Sequence, residues 1–282
     1  MTPHPVSRRT FLAGSAGAAL TVATLGIGAA PAGAARKAIS PLVLSSDLHA
    51  TPGPQRFVFA IAKGARYASF GRADVAFAPP GSKTFTTLRT DLEQDGLPRG
   101  RGIYVAAATF PEPGVWSARA VVDGRTVPFA VQVKPAPEAP VAGTAASRAA
   151  SPTPAAPLGV DPICTRRPAC PLHDVSLDQV IGTRPVAVMF ATPALCQSQY
   201  CGPVLDELLD VMGPYRDRGV AMVHVEIYRS TRGAAVAPTV EAWGLPSEPW
   251  FYTVDATGTI RERLDGAFST GEVTTALDRL VA

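Results

Sequence analysis

A proline- and alanine-rich run divides this chain into two parts. Residues Pro135 to Pro157 spell PAPEAPVAGTAASRAASPTPAAP, and 15 of these 23 residues are proline or alanine. The run contains no aromatic residue and no Leu, Ile or Met, so it cannot bury enough apolar surface to fold by itself. Its prolines favour an extended backbone. We therefore predict a linker over residues 135–160, between a domain at residues 39–134 and another at residues 161–282.

The composition of the whole chain excludes several classes of protein. Its 282 residues exceed the ~100–200 residues of a usual domain, and 46% of them are hydrophobic, as in ordinary globular proteins. The net charge is only +3, from 26 basic and 23 acidic residues, and the arginines form no basic cluster. These values exclude a disordered chain, a polytopic membrane protein and a nucleic-acid scaffold.

The first 34 residues have the pattern of an export signal. Arg8 and Arg9 stand directly before an apolar stretch at residues 11–30, and Ala32-Gly33-Ala34 offers a signal-peptidase site. The segment resembles a twin-arginine signal, which implies export from the cytoplasm. An N-terminal membrane anchor is the alternative, because about 20 apolar residues can span a bilayer. We predict an extracytoplasmic chain that touches a membrane only through this segment if it stays uncleaved.

Residues 39–134 alternate between apolar and polar side chains, as half-buried strands do. Phe57, Phe59 and Ile61 share one face of the first such strand. Comparable segments follow at residues 103–110, 115–122 and 126–133, with Gly- or Pro-containing turns between them. This pattern predicts an all-β immunoglobulin-like sandwich without an inter-sheet disulfide. We find no catalytic constellation in it and expect a binding or spacer role.

Residues 161–282 have the patterns of an α/β domain. The continuous apolar run Val186–Phe190 predicts a strand covered on both faces. Ser269 with Glu272 forms a capping box that opens a final helix. Between them the sequence predicts a helix at about residues 202–212, a strand at residues 220–227 and a hairpin of strands at residues 250–254 and 259–264. This order of elements is that of the thioredoxin-fold core.

All four cysteines belong to the second domain: Cys164, Cys170, Cys196 and Cys201. An even number of cysteines in an exported domain suggests disulfides, and four cysteines allow three pairings. We favour pairing between neighbours, Cys164 with Cys170 and Cys196 with Cys201, because each pair is local and flanks its own loop. The first pair is then a structural staple at the domain entrance, or alternatively a relay pair that passes electrons to Cys201.

The segment around Cys201 resembles the active site of thioredoxins. A buried strand ends at Phe190, and Cys201-Gly202-Pro203 opens the helix that follows. A thiolate at a helix N-terminus is stabilised by free N–H groups and by the helix dipole, which lowers its pKa. Downstream, Pro249 directly precedes the hairpin strand and resembles the cis-proline that faces the thioredoxin cysteines. Pro246 is the alternative for that position.

The sequence also departs from the thioredoxin pattern. Val204 occupies the position of the second thioredoxin cysteine, and Cys196 lies upstream instead, with four residues between it and Cys201. The strand at residues 186–190 lacks the acidic proton acceptor of thioredoxins. Glu226 in the next strand is either its substitute or a solvent-facing residue at a strand end.

The resemblance implies a thiol–disulfide oxidoreductase that acts on protein disulfides. In this role Cys201 attacks a substrate disulfide, Cys196 resolves the mixed disulfide and Pro249 helps to position the substrate chain. Protein thiols or disulfides are then the partners, nucleic acid is not a partner, and no cofactor is expected. The alternative from another class is a non-catalytic cell-envelope binding module whose four cysteines are structural.

A Sco-like copper chaperone is a further alternative, because that family also has a thioredoxin fold with two cysteines near the first helix. Sco proteins place a histidine late in the fold, whereas no histidine follows His224 here. His224 alternates with valines in a strand and fits a buried or edge histidine. His173, three residues after Cys170, is only a weak metal signal, so we predict no bound metal.

Overall fold

The structure of the chain, a computed structural model, describes residues 39–64, 66–195, 201–233 and 235–282. The predicted signal segment and Cys196 lie outside these ranges, and of Cys201 only the backbone is described. Within them, no helix combines the length and the apolar character that crossing a bilayer requires.

The first domain consists of two antiparallel sheets that pack face to face. Its strands are β1 (Ile39–Val43), β2 (Thr51–Lys63), β3 (Arg66–Ala68), β4 (Ala73–Ala78), β5 (Thr86–Leu88), β6 (Asp91–Glu93), β7 (Ile103–Phe110), β8 (Gly114–Val122) and β9 (Arg125–Val133). One sheet has the order β1-β2-β7-β6, with β3 beside β2, and the other has the order β5-β4-β8-β9. Phe57 of β2 packs edge-on against Phe77 of β4, with ring centroids 4.9 Å apart, so the two sheets share one core.

The second domain is built around a four-stranded mixed sheet. Its strands are β10 (Val186–Ala191), β11 (Ala221–Glu226), β12 (Trp250–Val254) and β13 (Ile260–Asp265), and its helices are α1 (Leu177–Val180), α2 (Cys201–Val211), α3 (Gly213–Asp217), α4 (Pro238–Trp243) and α5 (Thr270–Val281). The strand order is β11-β10-β12-β13. β10 runs parallel to β11 and antiparallel to β12. This topology is thioredoxin-like.

The central strand β10 is buried on both faces, as its continuous apolar run predicts. Val188 and Phe190 enter one apolar cluster with residues of α4. Met189 and Ala191 point to the opposite face and enter a second cluster with residues of α2 and α5. The sheet therefore lies between two layers of helices, and the predicted capping box of α5 is present: Ser269 Oγ accepts a hydrogen bond from the Glu272 N–H at 3.1 Å.

Residues 135–160, which we call the strap, differ from the predicted free linker because they pack along the second domain. The Gly143 N–H donates to the Ile260 carbonyl at 2.8 Å, and the Ile260 N–H donates back to Thr144 at 2.9 Å. Ala139 and Ala146 are buried. The strap has no core of its own, but its backbone extends the edge of the sheet at the start of β13. Its prolines reduce the conformational entropy lost on ordering.

The guanidinium of Arg56 in β2 joins the sandwich to the second domain. Its Nε lies 2.7 Å from Glu272 Oε1, and its two terminal nitrogens donate to the carbonyl oxygens of Asp265 at 2.8 Å and Ala267 at 2.6 Å. The side chain of Arg56 is only 14% exposed. The free-energy cost of burying this cation is offset because the guanidinium forms a hydrogen bond with each of these acceptors.

Asp47, in the loop between β1 and β2, makes the reciprocal contact. Its buried carboxylate accepts from Arg263 of β13 at 3.0 Å and from the N–H groups of Glu138 and Ala139 in the strap, at 3.0 and 3.2 Å. One carboxylate thus binds the sandwich, the strap and the second domain together. Lys134 adds a fourth contact at 3.3 Å.

Glu207 of α2 is buried where the sandwich meets this helix. Neither of its carboxylate oxygens has a hydrogen-bond partner in the described part of the chain. Burial, reinforced by the carboxylates of Glu272, Asp95, Asp206 and Asp210, raises the pKa of Glu207 to about 9. Glu207 is therefore neutral at pH 7. Gly96 of the sandwich, with φ +77°, packs so closely that a Cβ there would lie 2.5 Å from Glu207 Cγ.

We expect Arg56→Ala to lower the free energy of unfolding by about 3–5 kcal/mol, because it removes the cation that pairs with Glu272 and with two carbonyls at a buried interface. Arg72→Ala is the matched control. It removes an exposed pair with Asp74, with Arg72 60% exposed, and should leave the free energy of unfolding almost unchanged. Urea denaturation of the full chain measures both values. Equal losses for the two variants would contradict the role given to Arg56.

We expect Glu207→Gln to become more stable relative to the wild type as the pH rises from 5 to 8. The folded chain holds a proton on Glu207 that the unfolded chain releases above its ordinary pKa of 4.5. The contribution of Glu207 to stability is therefore complete below that value and is lost as the pH rises towards about 9, at up to about 1.4 kcal/mol per pH unit. Denaturation at several pH values checks this trend, and parallel curves for the two proteins would refute it.

Candidate functional site

Of the predicted redox residues, the structure describes Pro249 and the backbone of Cys201. Strand β10 ends at Ala191, and α2 begins at Cys201, so the intervening segment leads from the strand to the helix. Cys196 lies outside the described residues, as does the side chain of Cys201, so the predicted bond between them stays a prediction. The peptide bond between Glu248 and Pro249 is cis. Since Trp250 pairs with Phe190, Pro249 lies beside the point where the chain leaves β10.

The sandwich borders the same edge of the sheet. The Ser46 N–H donates to Asp265 Oδ2 at 2.6 Å, and Ser247 Oγ donates to Ser46 Oγ at 2.7 Å. The carbonyl of Leu44 lies directly against Gly266, at the position where a Cβ would stand. The loop between β1 and β2 therefore flanks the segment that ends in Pro249.

Four buried side chains converge beside this edge: Cys164, Cys170, His173 and His224. The sulfur, Nε2 and Nδ1 atoms that they offer all lie within 4.8 Å of one another. His224 Nδ1 lies 3.3 Å from Cys170 Sγ, 3.8 Å from Cys164 Sγ and 3.2 Å from His173 Nε2. His173 Nε2 lies 3.3 Å from Cys170 Sγ. We call these four residues the Cys/His cluster.

The predicted disulfide between Cys164 and Cys170 is not formed in the structure. The two sulfurs lie 3.7 Å apart as free thiols, whereas a disulfide bond is about 2.05 Å long. Both sulfurs contact imidazole nitrogens, so their nearest partners include the two histidines as well as each other. The two cysteines that flank this short loop thus contact side chains from elsewhere in the fold. The local spacing of the cysteines alone does not indicate these contacts.

The surrounding backbone holds the cluster in place. The Cys164–Cys170 loop is anchored at Thr165, whose N–H donates to Glu226 Oε2 at 2.8 Å. Thr165 Oγ1 in turn accepts from the N–H of Ala194, at 3.1 Å, in the segment that leads to Cys196. On the other side, His224 Nε2 lies 3.1 Å from the carbonyl of Ala191. That contact places the proton of His224 on Nε2 and leaves Nδ1 as a free lone pair facing the cluster.

Glu226 does not face solvent. Of its two interpretations, the one that made it a solvent-facing residue at a strand end is wrong. Its side chain is buried, and burial raises its pKa above the ordinary carboxyl range.

Within the Cys/His cluster, the hydrogen bond with the Cys170 thiol is the main cause that lowers the pKa of Cys164. Both imidazoles and the Cys170 N–H lower it further.

The sequence indicated the members of the cluster only in part. The spacing of Cys170 and His173 is visible as a weak signal, but His224 lies 51 residues after His173 and looks like a strand residue. Its side chain shares the face of β11 with that of Met222, which packs in the same cluster as α2. The usable signal was the joint presence of two cysteines and two histidines at the start of the domain and in its second strand.

Comparisons with known proteins give limited similarity. No protein-family profile matches the chain, and no curated protein matches it in sequence. Among solved structures, a putative thiol:disulfide interchange protein DsbE from Chlorobium tepidum matches 51% of this chain and 99% of its own, with 13% identity and a TM-score of 0.37. The filamin domain of Lin-41 matches 36% of this chain and 96% of its own, with 14% identity and a TM-score of 0.25. At these values neither similarity adds to the topology described above.

We expect Glu226→Ala to lower the free energy of unfolding by about 1–3 kcal/mol, because it leaves the buried N–H of Thr165 without an acceptor. Glu226→Gln keeps a carbonyl oxygen at that position and should therefore retain most of the stability that Glu226→Ala loses. Glu262→Ala serves as the control, since Glu262 only pairs with the exposed Arg279. Urea denaturation measures all three. A loss in Glu226→Gln as large as in Glu226→Ala would contradict the hydrogen-bond role.

Proposed function

We propose that the chain is exported and acts outside the cytoplasm as a thiol–disulfide oxidoreductase on protein disulfides. One observation carries this proposal: α2, the helix that follows β10 along the chain, begins at Cys201, and the cis-proline Pro249 directly precedes β12 beside the end of β10. A cysteine at the start of an eleven-residue helix receives the stabilisation that makes a thiolate nucleophilic near neutral pH.

The proposed reaction exchanges one disulfide for another. The Cys201 thiolate attacks a sulfur of the substrate disulfide, forms a mixed disulfide and releases one substrate thiolate, which takes up a proton. The Cys196 thiolate then attacks Cys201 Sγ, so that the Cys196–Cys201 disulfide forms and the second substrate thiol leaves. The substrate gains two electrons, and a dithiol donor outside the chain returns the protein to its reduced form. With the Cys196–Cys201 disulfide as starting state, the same steps run in reverse.

The backbone around Pro249 would guide the substrate chain. The start of β12 lies beside the end of β10, so an extended peptide can approach along this edge of the sheet. Ser46 and Leu44 of the sandwich flank the same edge. The sandwich therefore forms one wall of the approach to Cys201 and restricts which disulfides can reach it.

The proposal assigns the sandwich to the immunoglobulin-like class. Its sheet β1-β2-β7-β6 matches the order A-B-E-D, and its sheet β5-β4-β8-β9 matches C′-C-F-G. All described strand pairs in it are antiparallel. Such a module carries no chemistry of its own, and its docked position favours a role in substrate selection over that of a spacer.

Cys201→Ser should reduce the rate of insulin disulfide reduction with dithiothreitol to the uncatalysed rate, because the attacking thiolate is lost. Cys196→Ser is the matched control. It should keep the first step and accumulate a mixed disulfide between Cys201 and the substrate, visible on a non-reducing gel. Two results together would support the non-catalytic binding module instead. Folded, reduced wild-type protein would reduce insulin no faster than dithiothreitol alone, and no trapped complex would form.

A further inference from the structure

The Cys/His cluster has the donor set of a closed metal site. We propose that Cys164, Cys170, His173 and His224 bind one Zn²⁺ ion in tetrahedral coordination. This inference does not rest on the proposed redox function, because it concerns other cysteines. It replaces the expectation, from the sequence, that the chain binds no metal.

The distances between the four donor atoms fit a tetrahedron around zinc. Zinc–sulfur bonds of about 2.3 Å and zinc–nitrogen bonds of about 2.0–2.1 Å require donor separations of about 3.8 Å for two sulfurs, about 3.6 Å for sulfur and nitrogen, and about 3.3 Å for two nitrogens. The structure has 3.7 Å between the sulfurs and 3.2 Å between the nitrogens. Three of its four sulfur–nitrogen distances are 3.3, 3.3 and 3.8 Å, and the fourth, between Cys164 and His173, is within 4.8 Å. Small movements of the side chains complete the site.

The charges of the cluster favour a divalent ion. Two thiolates and two neutral imidazoles carry a charge of −2, which Zn²⁺ cancels. A neutral complex suits these four buried residues, whereas a Cu⁺ complex would keep a net charge of −1. The sulfur and nitrogen donors exclude ions that require oxygen ligands, such as Mg²⁺ and Ca²⁺.

The orientation of the histidines gives a further argument. His224 holds its Nε2 proton against the Ala191 carbonyl, which is the outer contact that orients a metal-binding imidazole. His173 offers Nε2 to the cluster, and with a metal bound there its proton would lie on Nδ1, which has no partner among the described residues. His224 thus directs its Nδ1 lone pair, and His173 its Nε2 lone pair, towards the centre of the cluster. Two histidines oriented only by hydrogen bonds within the core would not both direct a lone pair there.

Zinc at this site would separate the four cysteines into two classes. Cys164 and Cys170 would be held as ligated thiolates, protected from exchange with the substrate and with each other. Cys196 and Cys201 would remain as the exchanging pair. The relay role considered for Cys164 and Cys170 is then excluded.

The first test measures metal content in the full chain, produced with zinc in the medium and purified under reducing conditions. Elemental mass spectrometry should find one zinc per chain in the wild type. Cys164→Ser and His224→Ala should lose it. The double variant with Cys196→Ser and Cys201→Ser, which removes two thiols where Cys164→Ser removes one, should retain it, and so should His49→Ala, which removes a histidine outside the cluster.

The second test uses the wild type, because a change at the buried His224 also tests folding. After removal of the metal with a chelator under reducing conditions, titration with Co²⁺ should produce thiolate-to-cobalt charge-transfer absorption and the intense visible bands of tetrahedral cobalt. Addition of Zn²⁺ should abolish these bands. His173→Gln should shift or weaken them while the chain remains folded by circular dichroism.

Three results would overturn the proposal. One is a reduced, folded wild type that takes up neither Zn²⁺ nor Co²⁺, with a Cys164–Cys170 disulfide in non-reduced peptide maps after oxidation. Another is zinc that persists in Cys164→Ser but disappears with Cys196 and Cys201. The third is stoichiometric binding of Cu⁺ without binding of Zn²⁺. None of these measurements depends on disulfide reductase activity.

Discussion

Two buried charges of opposite sign, Asp47 and Arg56, determine how the two domains are arranged. Each lies in the sandwich, and each finds its partners in the second domain or the strap: Asp47 meets Arg263, and Arg56 meets Glu272. A buried charge without its partner is costly, so docking is favourable only in the orientation that satisfies both. That orientation places the loop between β1 and β2 against the carboxyl edge of the central sheet. The surroundings of Cys201 and Pro249 thus depend on a sandwich that contributes no reactive group.

The second domain holds its cysteines in two contrasting environments. Cys201 is the first residue of α2, a position at which backbone dipoles would stabilise a thiolate. Cys164 and Cys170 are buried and contact two imidazoles. Thr165 connects the environments, because it contacts Glu226 on one side and the segment leading to Cys196 on the other. Thiols of one small domain can therefore differ in reactivity through placement alone.

The parts of this architecture that depend on local patterns could be predicted from the sequence. The two-sided burial of β10 follows from its apolar run, and the start of α5 follows from the Ser269 capping box. The ordered strap could not be predicted, because its stability comes from backbone bonds to β13 and from alanines that are buried only by packing against the second domain. Similarly, the local spacing of Cys164 and Cys170 favoured a disulfide. Only the register that aligns His224 with Met189 brings the second imidazole to these sulfurs.

The Cys/His cluster also has a topological consequence. Cys164 and His224 are separated by 60 positions, and β10, α2 and both Cys196 and Cys201 lie between them. With zinc bound, this whole stretch becomes a ring closed by the metal. Closing a loop of that length removes many conformations from the unfolded chain, and the entropic gain grows slowly with loop length. The exchanging cysteines would then lie on a cyclic segment whose two ends meet, so opening and closing their disulfide would leave the ring intact.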